Sequence, residues 1–185
     1  MINSQVKICG ITSINDAEQS IVSGSDFLGF ILYQKSKRYI SYDDCKRIIN
    51  HIHTEVKTVA VTVDPSNDDI DKINKTNFGY IQLHGNESID RVQEIKSLTN
   101  CKLIKAFGIR NSDDVKLIND YETLVDFYLL DAKPEPNEQP GGNAKSFDWD
   151  ILKDVQFNCP YFLSGGLSPE NIVNAMNSTE TSFFD

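Results

Sequence analysis

Short apolar segments alternate with segments of helical period along most of the chain. The apolar segments are nearly continuous, which is typical of strands that are buried on both faces of a parallel sheet. Seven strands are predicted, at residues 6–9, 27–32, 58–63, 80–83, 103–107, 127–130 and 161–163, and an eighth begins at Phe183. Amphipathic segments at residues 14–23, 42–51, 70–76, 90–98, 112–119, 149–155 and 169–176 predict the helices between them.

This alternation predicts an α/β fold, either an open doubly wound sheet or a closed (β/α)8 TIM barrel. The number of strand-helix units favours the barrel, and no Gly-x-Gly-x-x-Gly motif follows the first strand. We therefore predict one TIM-barrel domain over residues 1–185. Because the sequence ends at Asp185, we expect this barrel to be C-terminally incomplete, lacking most of strand 8 and helix 8, and to expose a sheet edge.

The composition agrees with a globular domain and narrows the choice of partners. A chain of 185 residues with 39% hydrophobic residues can bury a full core. Its net charge of -9 argues against nucleic-acid binding, which needs a basic surface. The sequence has no signal-like segment and no apolar run near the roughly 20 residues of a membrane span. We therefore expect no membrane partner and a cytoplasmic protein.

The four cysteines are Cys9, Cys45, Cys101 and Cys159. They are widely separated and form neither a Cys-x-x-Cys pair nor a Cys/His cluster with the spacing of metal ligands. We therefore expect reduced thiols, no disulfide framework and no bound metal.

Polar residues follow several of the predicted strands at their carboxyl ends, where TIM barrels form their active sites. They are Cys9, Arg38, Asp64, Gln82, His84, Asp131 and the run Ser164-Gly165-Gly166. Asp64 is better explained by a turn and helix cap, because it begins an Asp-Pro-Ser run. For His84, a structural hydrogen bond to the backbone and a role in the site are equally compatible with the sequence. A thiol at Cys9 and a carboxyl at Asp131, on opposite sides of a barrel mouth, suit acid–base chemistry on one small molecule.

Gly165 and Gly166 begin the strongest ligand-binding signal. Paired glycines let the backbone approach a ligand, and Ser168 with Pro169 predicts a helix start whose free N–H groups can hold a phosphate. We therefore expect a small-molecule, phosphorylated substrate. The long segment at residues 132–146 is predicted to fold over the site as a lid.

Six motifs occur in order along the chain. They are Lys7-Ile8-Cys9-Gly10-Ile11-Thr12, Leu28-Gly29-Phe30 with Lys37-Arg38-Tyr39-Ile40, Ile81-Gln82-Leu83-His84-Gly85-Asn86-Glu87, Leu129-Leu130-Asp131, Gly141-Gly142 with Phe147-Asp148-Trp149, and Ser164-Gly165-Gly166-Leu167-Ser168-Pro169-Glu170-Asn171. In this combination the chain resembles the phosphoribosylanthranilate isomerase family of tryptophan biosynthesis.

The resemblance implies an Amadori rearrangement of N-(5'-phosphoribosyl)anthranilate to 1-(2-carboxyphenylamino)-1-deoxyribulose 5-phosphate, without metal or organic cofactor. It implies that Asp131 is the general acid that protonates the furanose ring oxygen. It also implies that Cys9, as a thiolate, is the general base that removes the proton from the sugar C2. A base must be deprotonated to act, so we expect nearby backbone N–H groups to lower the pKa of Cys9.

The same resemblance assigns the substrate-binding residues. Arg38 matches the position that binds the anthranilate carboxylate, and Gly165 with Gly166 matches the phosphate loop. Three further residues complete the expected binding site: Gln82, His84 and Asp185. We expect a monomer or a homodimer.

The chain departs from the family pattern at three places. Lys37 stands where the family has proline before the arginine, and Asn143-Ala144 follows the glycine pair where Thr-Gly is usual. The family also continues past the position of Asp185 with a second phosphate loop and a final helix. Two alternatives remain open: another phosphate-binding barrel enzyme, such as a sugar-phosphate epimerase, or a non-catalytic barrel that binds a phosphorylated ligand.

Overall fold

Eight parallel strands close into a ring in the computed structural model, which describes residues 4–52, 55–133 and 146–185. Each strand pairs with its neighbours in chain order, so the predicted TIM barrel is confirmed. The strands are β1 (Gln5–Cys9), β2 (Phe27–Ile31), β3 (Lys57–Thr62), β4 (Tyr80–Leu83), β5 (Lys102–Ile109), β6 (Phe127–Ala132), β7 (Tyr161–Leu163) and β8 (Phe183–Phe184). The helices are α1 (Ile14–Val22), α2 (Tyr42–His51), α3 (Asn67–Thr76), α4 (Ile89–Leu98) and α5 (Ile172–Ser178), with 3₁₀ segments at Ile118–Tyr121 and Trp149–Leu152.

Strand β8 closes the ring although it has only two residues. Phe183 lies opposite Gln5 of β1 on one side and Phe162 of β7 on the other. The backbone N–H of Asp185 donates to the carbonyl of Leu163 at 2.9 Å. An eighth strand was predicted to begin at Phe183 and to be mostly missing, and β8 begins there with two residues. The expected open sheet edge is wrong, because a strand this short can still pair with both neighbours.

A serine caps each of the first four helices. Ser13, Ser41, Ser66 and Ser88 each accept a hydrogen bond from the backbone N–H three residues later, which satisfies one free donor of the first turn. In α3 the Asp69 side chain also accepts from the N–H of Ser66, which completes a capping box. These caps explain why α1 to α4 begin within three residues of their predicted starts.

Two predicted helices are absent from the described residues. Residues 112–117 form turns instead, followed by the 3₁₀ segment Ile118–Tyr121, and the Asp114 carboxylate accepts from the backbone N–H groups of Arg110 and Asn111 at 2.9 and 3.1 Å. The helix predicted at residues 149–155 is only a 3₁₀ turn, Trp149–Leu152. The strands next to these segments, β5, β6 and β7, nevertheless begin and end within two residues of their predicted bounds.

The interior of the barrel is mostly apolar. Side chains from alternate strand positions fill it, among them Phe27, Val59, Ile104, Leu129 and Phe162, all fully buried. Phe27 packs edge-on against Phe162 with ring centroids 5.1 Å apart. Because side chains alternate along a strand, the residues that lie above this apolar filling at the strand ends point into the barrel mouth.

Candidate active site

Cys9 ends β1 and packs against the apolar interior of the barrel. Gly10 follows with a φ of 90°, a conformation that favours glycine. A Cβ at Gly10 would lie 2.7 Å from the Arg38 side chain, so the glycine also makes room for that arginine. The Nη1 of Arg38 donates to the Cys9 carbonyl at 2.9 Å. The Cys-Gly pair therefore holds the thiol and the guanidinium side by side at the rim.

Burial raises the pKa of the Cys9 thiol above its ordinary value, because a thiolate loses its hydration inside the barrel. Lys7 acts against this effect, Asp185 adds to it, and Arg38 acts against it. The expectation of a lowered pKa is therefore wrong. Nearby backbone N–H groups do not stabilise the thiolate in place of water, because those of Gly10 and Ile11 donate to the carbonyl of Gly29.

Asp185 forms an ion pair inside the barrel with Lys7, whose Nζ lies 2.7 Å from the Asp185 Oδ2. The two side chains are only 0% and 7% exposed. Burial alone would lower the pKa of Lys7, but attraction to Asp185 and Cys9 raises it. Among the described residues the other carboxylate oxygen, Oδ1, is buried and has no hydrogen-bond partner. The sequence predicted Asp185 as a site residue but missed Lys7, although it lies one alternation before Cys9 on a strand with an inward-facing thiol.

Gln82, His84 and Asp131 form one connected row across the site. The Gln82 Nε2 lies 2.8 Å from the His84 Nδ1, and the His84 Nε2 lies 3.5 Å from the Asp131 Oδ2. When the Gln82 amide donates to Nδ1, the proton of a neutral His84 sits on Nε2 and faces Asp131. The Asp131 Oδ1 accepts from the N–H of Ala132 at 2.8 Å. The structure thus brings together three residues that the sequence predicted separately.

Arg38 is exposed at the rim, where its guanidinium can meet an anion from solution. Gly165 and Gly166 both have positive φ values, 88° and 64°. The loop they form is held by Asn171, whose Nδ2 donates to the Gly166 carbonyl and whose Oδ1 accepts from the Ser168 N–H, both at 2.8 Å. The sequence predicted Ser168 as the cap of α5. That prediction is wrong, because the helix begins after Asn171.

A second buried ion pair lies behind the rim, between Lys105 and Glu87. Their charged atoms are 3.0 Å apart, and the side chains are 4% and 0% exposed. The Glu87 Oε1 accepts from the backbone N–H groups of Asp64 and Gly85 at 2.9 and 3.1 Å. This pair therefore fixes the loops that follow β3 and β4. Sequence reasoning missed it, although a lysine in the middle of the apolar strand β5 was a visible signal.

Asp64 lies in a turn, as the sequence favoured. Its φ is 46°, and its Oδ1 accepts from the backbone N–H of Asn86 at 2.9 Å. The Asp-Pro-Ser run also supplies the helix cap, through Ser66. Asp64 is thus a structural residue that connects two loops.

The predicted lid lies largely outside the described residues, as do the Gly141-Gly142 pair and Asn143-Ala144. Over the described ranges, no group of three or more His, Cys, Asp or Glu side chains is arranged to hold a metal ion. Within the same ranges, no helix has the length and apolar character needed to cross a membrane.

Comparison with known proteins identifies the family. A family model described as N-(5'phosphoribosyl)anthranilate (PRA) isomerase matches residues 6–185. The N-(5'-phosphoribosyl)anthranilate isomerase of Rhizobium rhizogenes (strain K84) is 38% identical over 186 residues, covering 100% of this chain and 84% of the relative. That of Sinorhizobium fredii (strain NGR234) is 42% identical over 176 residues, 94% of this chain and 79% of the relative.

Solved structures agree with this result. The phosphoribosyl anthranilate isomerase of Thermotoga maritima is 35% identical, with a TM-score of 0.87 over 98% of this chain and 86% of that one. A complex of such an isomerase with reduced 1-(o-carboxyphenylamino)-1-deoxyribulose 5-phosphate is 34% identical, with a TM-score of 0.84 and the same coverage. With its barrel, its rim residues and these matches, the chain belongs to the phosphoribosylanthranilate isomerase family.

Proposed function

We propose that the protein converts N-(5'-phosphoribosyl)anthranilate to 1-(2-carboxyphenylamino)-1-deoxyribulose 5-phosphate in tryptophan biosynthesis, with Asp131 as acid and Cys9 as base. Membership of the isomerase family supports the reaction. The observation that carries the residue roles is the placement of this carboxyl and this thiol at the ends of β6 and β1, both facing the barrel mouth. The reaction moves protons within one molecule, so an acid and a base at one site can perform it.

Asp131 acts first in this proposal. It gives a proton to the furanose ring oxygen, the ring C–O bond breaks, and an imine forms between the sugar C1 and the anthranilate nitrogen. The carboxylate that remains lies 3.5 Å from the His84 Nε2. A proton on that nitrogen, with Gln82 on the other side of the ring, favours the charge that develops on Asp131.

Cys9 then removes the proton from C2 as a thiolate. The electrons of that C–H bond form an enolamine. It takes up a proton at C1 while its C2 hydroxyl gives a proton back to the Asp131 carboxylate, so the C2 carbonyl of the ketose forms. Because burial raises the pKa of Cys9, its thiolate is a strong base once formed. The expected consequence is that kcat/KM increases with pH up to the pKa of Cys9.

Substrate binding is assigned to groups at the rim and in the barrel mouth. Arg38 pairs with the anthranilate carboxylate, and the backbone at Gly165 and Gly166 receives the phosphate. The remaining binding residues are Gln82, His84 and Asp185. The Oδ1 of Asp185, which has no hydrogen-bond partner in the part of the chain that the structure describes, is an acceptor suited to a sugar hydroxyl. These local groups attract an anionic substrate despite the net charge of -9.

Oligomeric state and location stay predictions. One related structure is described as mutually generated monomers of a dimeric isomerase from Thermotoga maritima, which is a statement about that protein. We propose a monomer or a homodimer for this chain, in the cytoplasm, which sedimentation of the purified protein and cell fractionation can test.

The test is turnover of freshly made phosphoribosylanthranilate, followed by the loss of its fluorescence. We expect Cys9→Ser and Asp131→Asn each to lower kcat by about 10²- to 10⁴-fold, the usual contribution of a general acid or base. Cys159→Ser is the matched control, because that thiol, in the loop before β7, donates to the carbonyls of Glu122 and Val125 in the segment before β6, away from the rim. Full activity in either site variant would refute the assigned roles, and a folded parent without turnover would refute the reaction.

A further inference from the structure

Lys7 lies inside the barrel, two residues before Cys9 on β1. Residues two apart on a strand face the same side, so its side chain points inward as the thiol does. The ammonium group is fully buried beside Asp185, at 2.7 Å from its carboxylate. Around it the barrel is filled by apolar groups such as Val59 and Phe162. A charged residue in this interior therefore needs an explanation.

Stability does not explain the pair of Lys7 and Asp185. Removing two charges from water costs free energy that their attraction only partly returns, and well-packed apolar residues in place of a buried pair are often as stable or more stable. The apolar filling of TM barrels of this class is normally built from branched aliphatic side chains. The location of Lys7 beside the proposed base offers a functional explanation instead.

The groups around Cys9 form a balanced set of charges. Lys7 on the same strand and Arg38 after β2 are cations, while Asp185 after β8 is an anion. The neighbouring strand β2 places Gly29 opposite Cys9, where it contributes no side chain. When Cys9 is a thiolate, two cations face two anions, whereas a thiol leaves one positive charge in excess. The charge of the cluster thus matches the ionised form of Cys9.

We propose that Lys7 is a positioning residue that stabilises the thiolate of Cys9, and that Asp185 holds the Lys7 ammonium in place. The contribution of Lys7 to catalysis rests on the proposed function, in which Cys9 is the base. The effect on the thiolate itself can be measured without turnover. In this proposal Lys7 acts on the reaction through Cys9.

The test compares Lys7→Met with Asp185→Asn in the rate of Cys9 alkylation by iodoacetamide as a function of pH. Lys7→Met removes an attraction to the thiolate, so we expect the midpoint of the profile to rise by about one pH unit or more. The rate near pH 7.5 then falls about tenfold per pH unit of that rise, because only the thiolate reacts. Asp185→Asn removes a repulsion, so we expect alkylation to become faster.

These opposite directions separate the proposal from a structural role. If Lys7 only held the barrel together, both variants would loosen it, expose Cys9 and speed alkylation. An unchanged or faster rate in Lys7→Met would therefore overturn the proposal. Lys7→Arg retains the charge, so we expect its profile to return toward that of the parent.

Lys105→Met is the matched control, since Lys105 is also buried and also paired with a carboxylate, that of Glu87. We expect it to leave the Cys9 profile within about threefold of the parent, because the Lys105 ammonium is paired with Glu87 and bonded to nearby backbone carbonyls, not to Cys9. Cys9→Ser identifies which alkylation signal comes from Cys9, as three other cysteines remain. A Lys105→Met profile that moved like Lys7→Met would overturn the proposal.

A double variant covers the case in which Lys7→Met does not fold. Lys7→Met with Asp185→Asn removes both buried charges, and we expect its Cys9 to react at least about tenfold more slowly than Cys9 in Asp185→Asn alone. Equal rates would overturn the proposal. The proposed function has a separate test. Full isomerase activity in Cys9→Ser would refute the role of Cys9 as the base, whatever the alkylation rates are.

Discussion

Gly29 provides the space in which the Cys9 sulfur lies, and Gly29→Ala tests how closely the base must be positioned. The two residues face each other across β1 and β2. A Cβ at Gly29 would lie 3.0 Å from the Cys9 Sγ and 3.1 Å from its Cα. The strands are joined by backbone hydrogen bonds, so they cannot separate freely. The methyl group is therefore expected to displace the sulfur.

The size of the effect follows from these distances. Ordinary contacts of a methyl group begin near 3.4 Å, so the neighbours of the new Cβ must move by a few tenths of an ångström. Adding a methyl to a packed interior costs about 1–3 kcal/mol of stability. A base that is misplaced by up to about 1 Å can lose about 10²-fold in rate. We expect Gly29→Ala to lower kcat/KM by about 10- to 100-fold beyond any loss of folded protein.

Urea denaturation and turnover of phosphoribosylanthranilate measure the two effects separately. Gly79→Ala is the control, because the nearest atom to a Cβ there is the Thr58 carbonyl oxygen at 3.8 Å, an ordinary contact. We expect this variant to retain parental activity and to change stability by less than about 1 kcal/mol. If Gly29→Ala behaved like Gly79→Ala in both measurements, the space at Gly29 would not be what positions Cys9.

Three further outcomes are expected. Lys105→Met leaves Glu87 charged and buried, so the free energy of unfolding in urea should fall by about 3–5 kcal/mol, and a much smaller loss would mean that water replaces the ammonium. Burial raises the pKa of Cys45 from its ordinary value of 9.0 to about 12, so the folded state resists ionisation. Stability should therefore fall between these pH values, by up to about 1.4 kcal/mol per pH unit, and urea titrations of Cys45→Ala should show a shallower fall. Gly10→Ala, strained at a φ of 90° and in collision with Arg38, should raise KM more than it lowers kcat, which steady-state kinetics can check.

Most of the fold could be predicted from hydrophobic period, because strands such as β4 and β7 are short continuous apolar runs between polar loops. Their predicted bounds, 80–83 and 161–163, equal the observed ones. The pattern also predicted that an eighth strand begins at Phe183, where β8 begins. It could not show that two residues suffice to pair with both neighbours and close the barrel, because pairing depends on strands far away in the sequence.

The rim residues were predictable for a different reason. In a parallel barrel, the carboxyl end of every strand meets the same opening, so polar residues far apart in sequence, such as Gln82 and Asp131, are expected together. The row through His84 confirms their proximity. The pKa of Cys9 was not predictable, since its direction depends on burial and on charges that other strands contribute.

The two buried lysines, Lys7 and Lys105, have similar positions in the sequence but different surroundings in the structure. Both Lys7 and Lys105 interrupt apolar strands, and the sequence treats them alike. Lys105 donates to the carbonyls of Leu83, Gly85 and Ala106 at 2.9 to 3.4 Å and lies 3.0 Å from Glu87, so its three N–H groups are fully used within the frame of the barrel.

Lys7 has a different environment. Within the described residues its ammonium group donates to the Asp185 carboxylate at 2.7 Å, and it is also attracted to Cys9. A cation whose donors are all taken by backbone carbonyls can hold loops but has little left to offer a neighbouring thiolate. A cation with one carboxylate partner and a thiol beside it retains that capacity. The difference in how the two ammonium groups are satisfied is therefore the physical reason to expect a structural effect from Lys105→Met and an effect on the base from Lys7→Met.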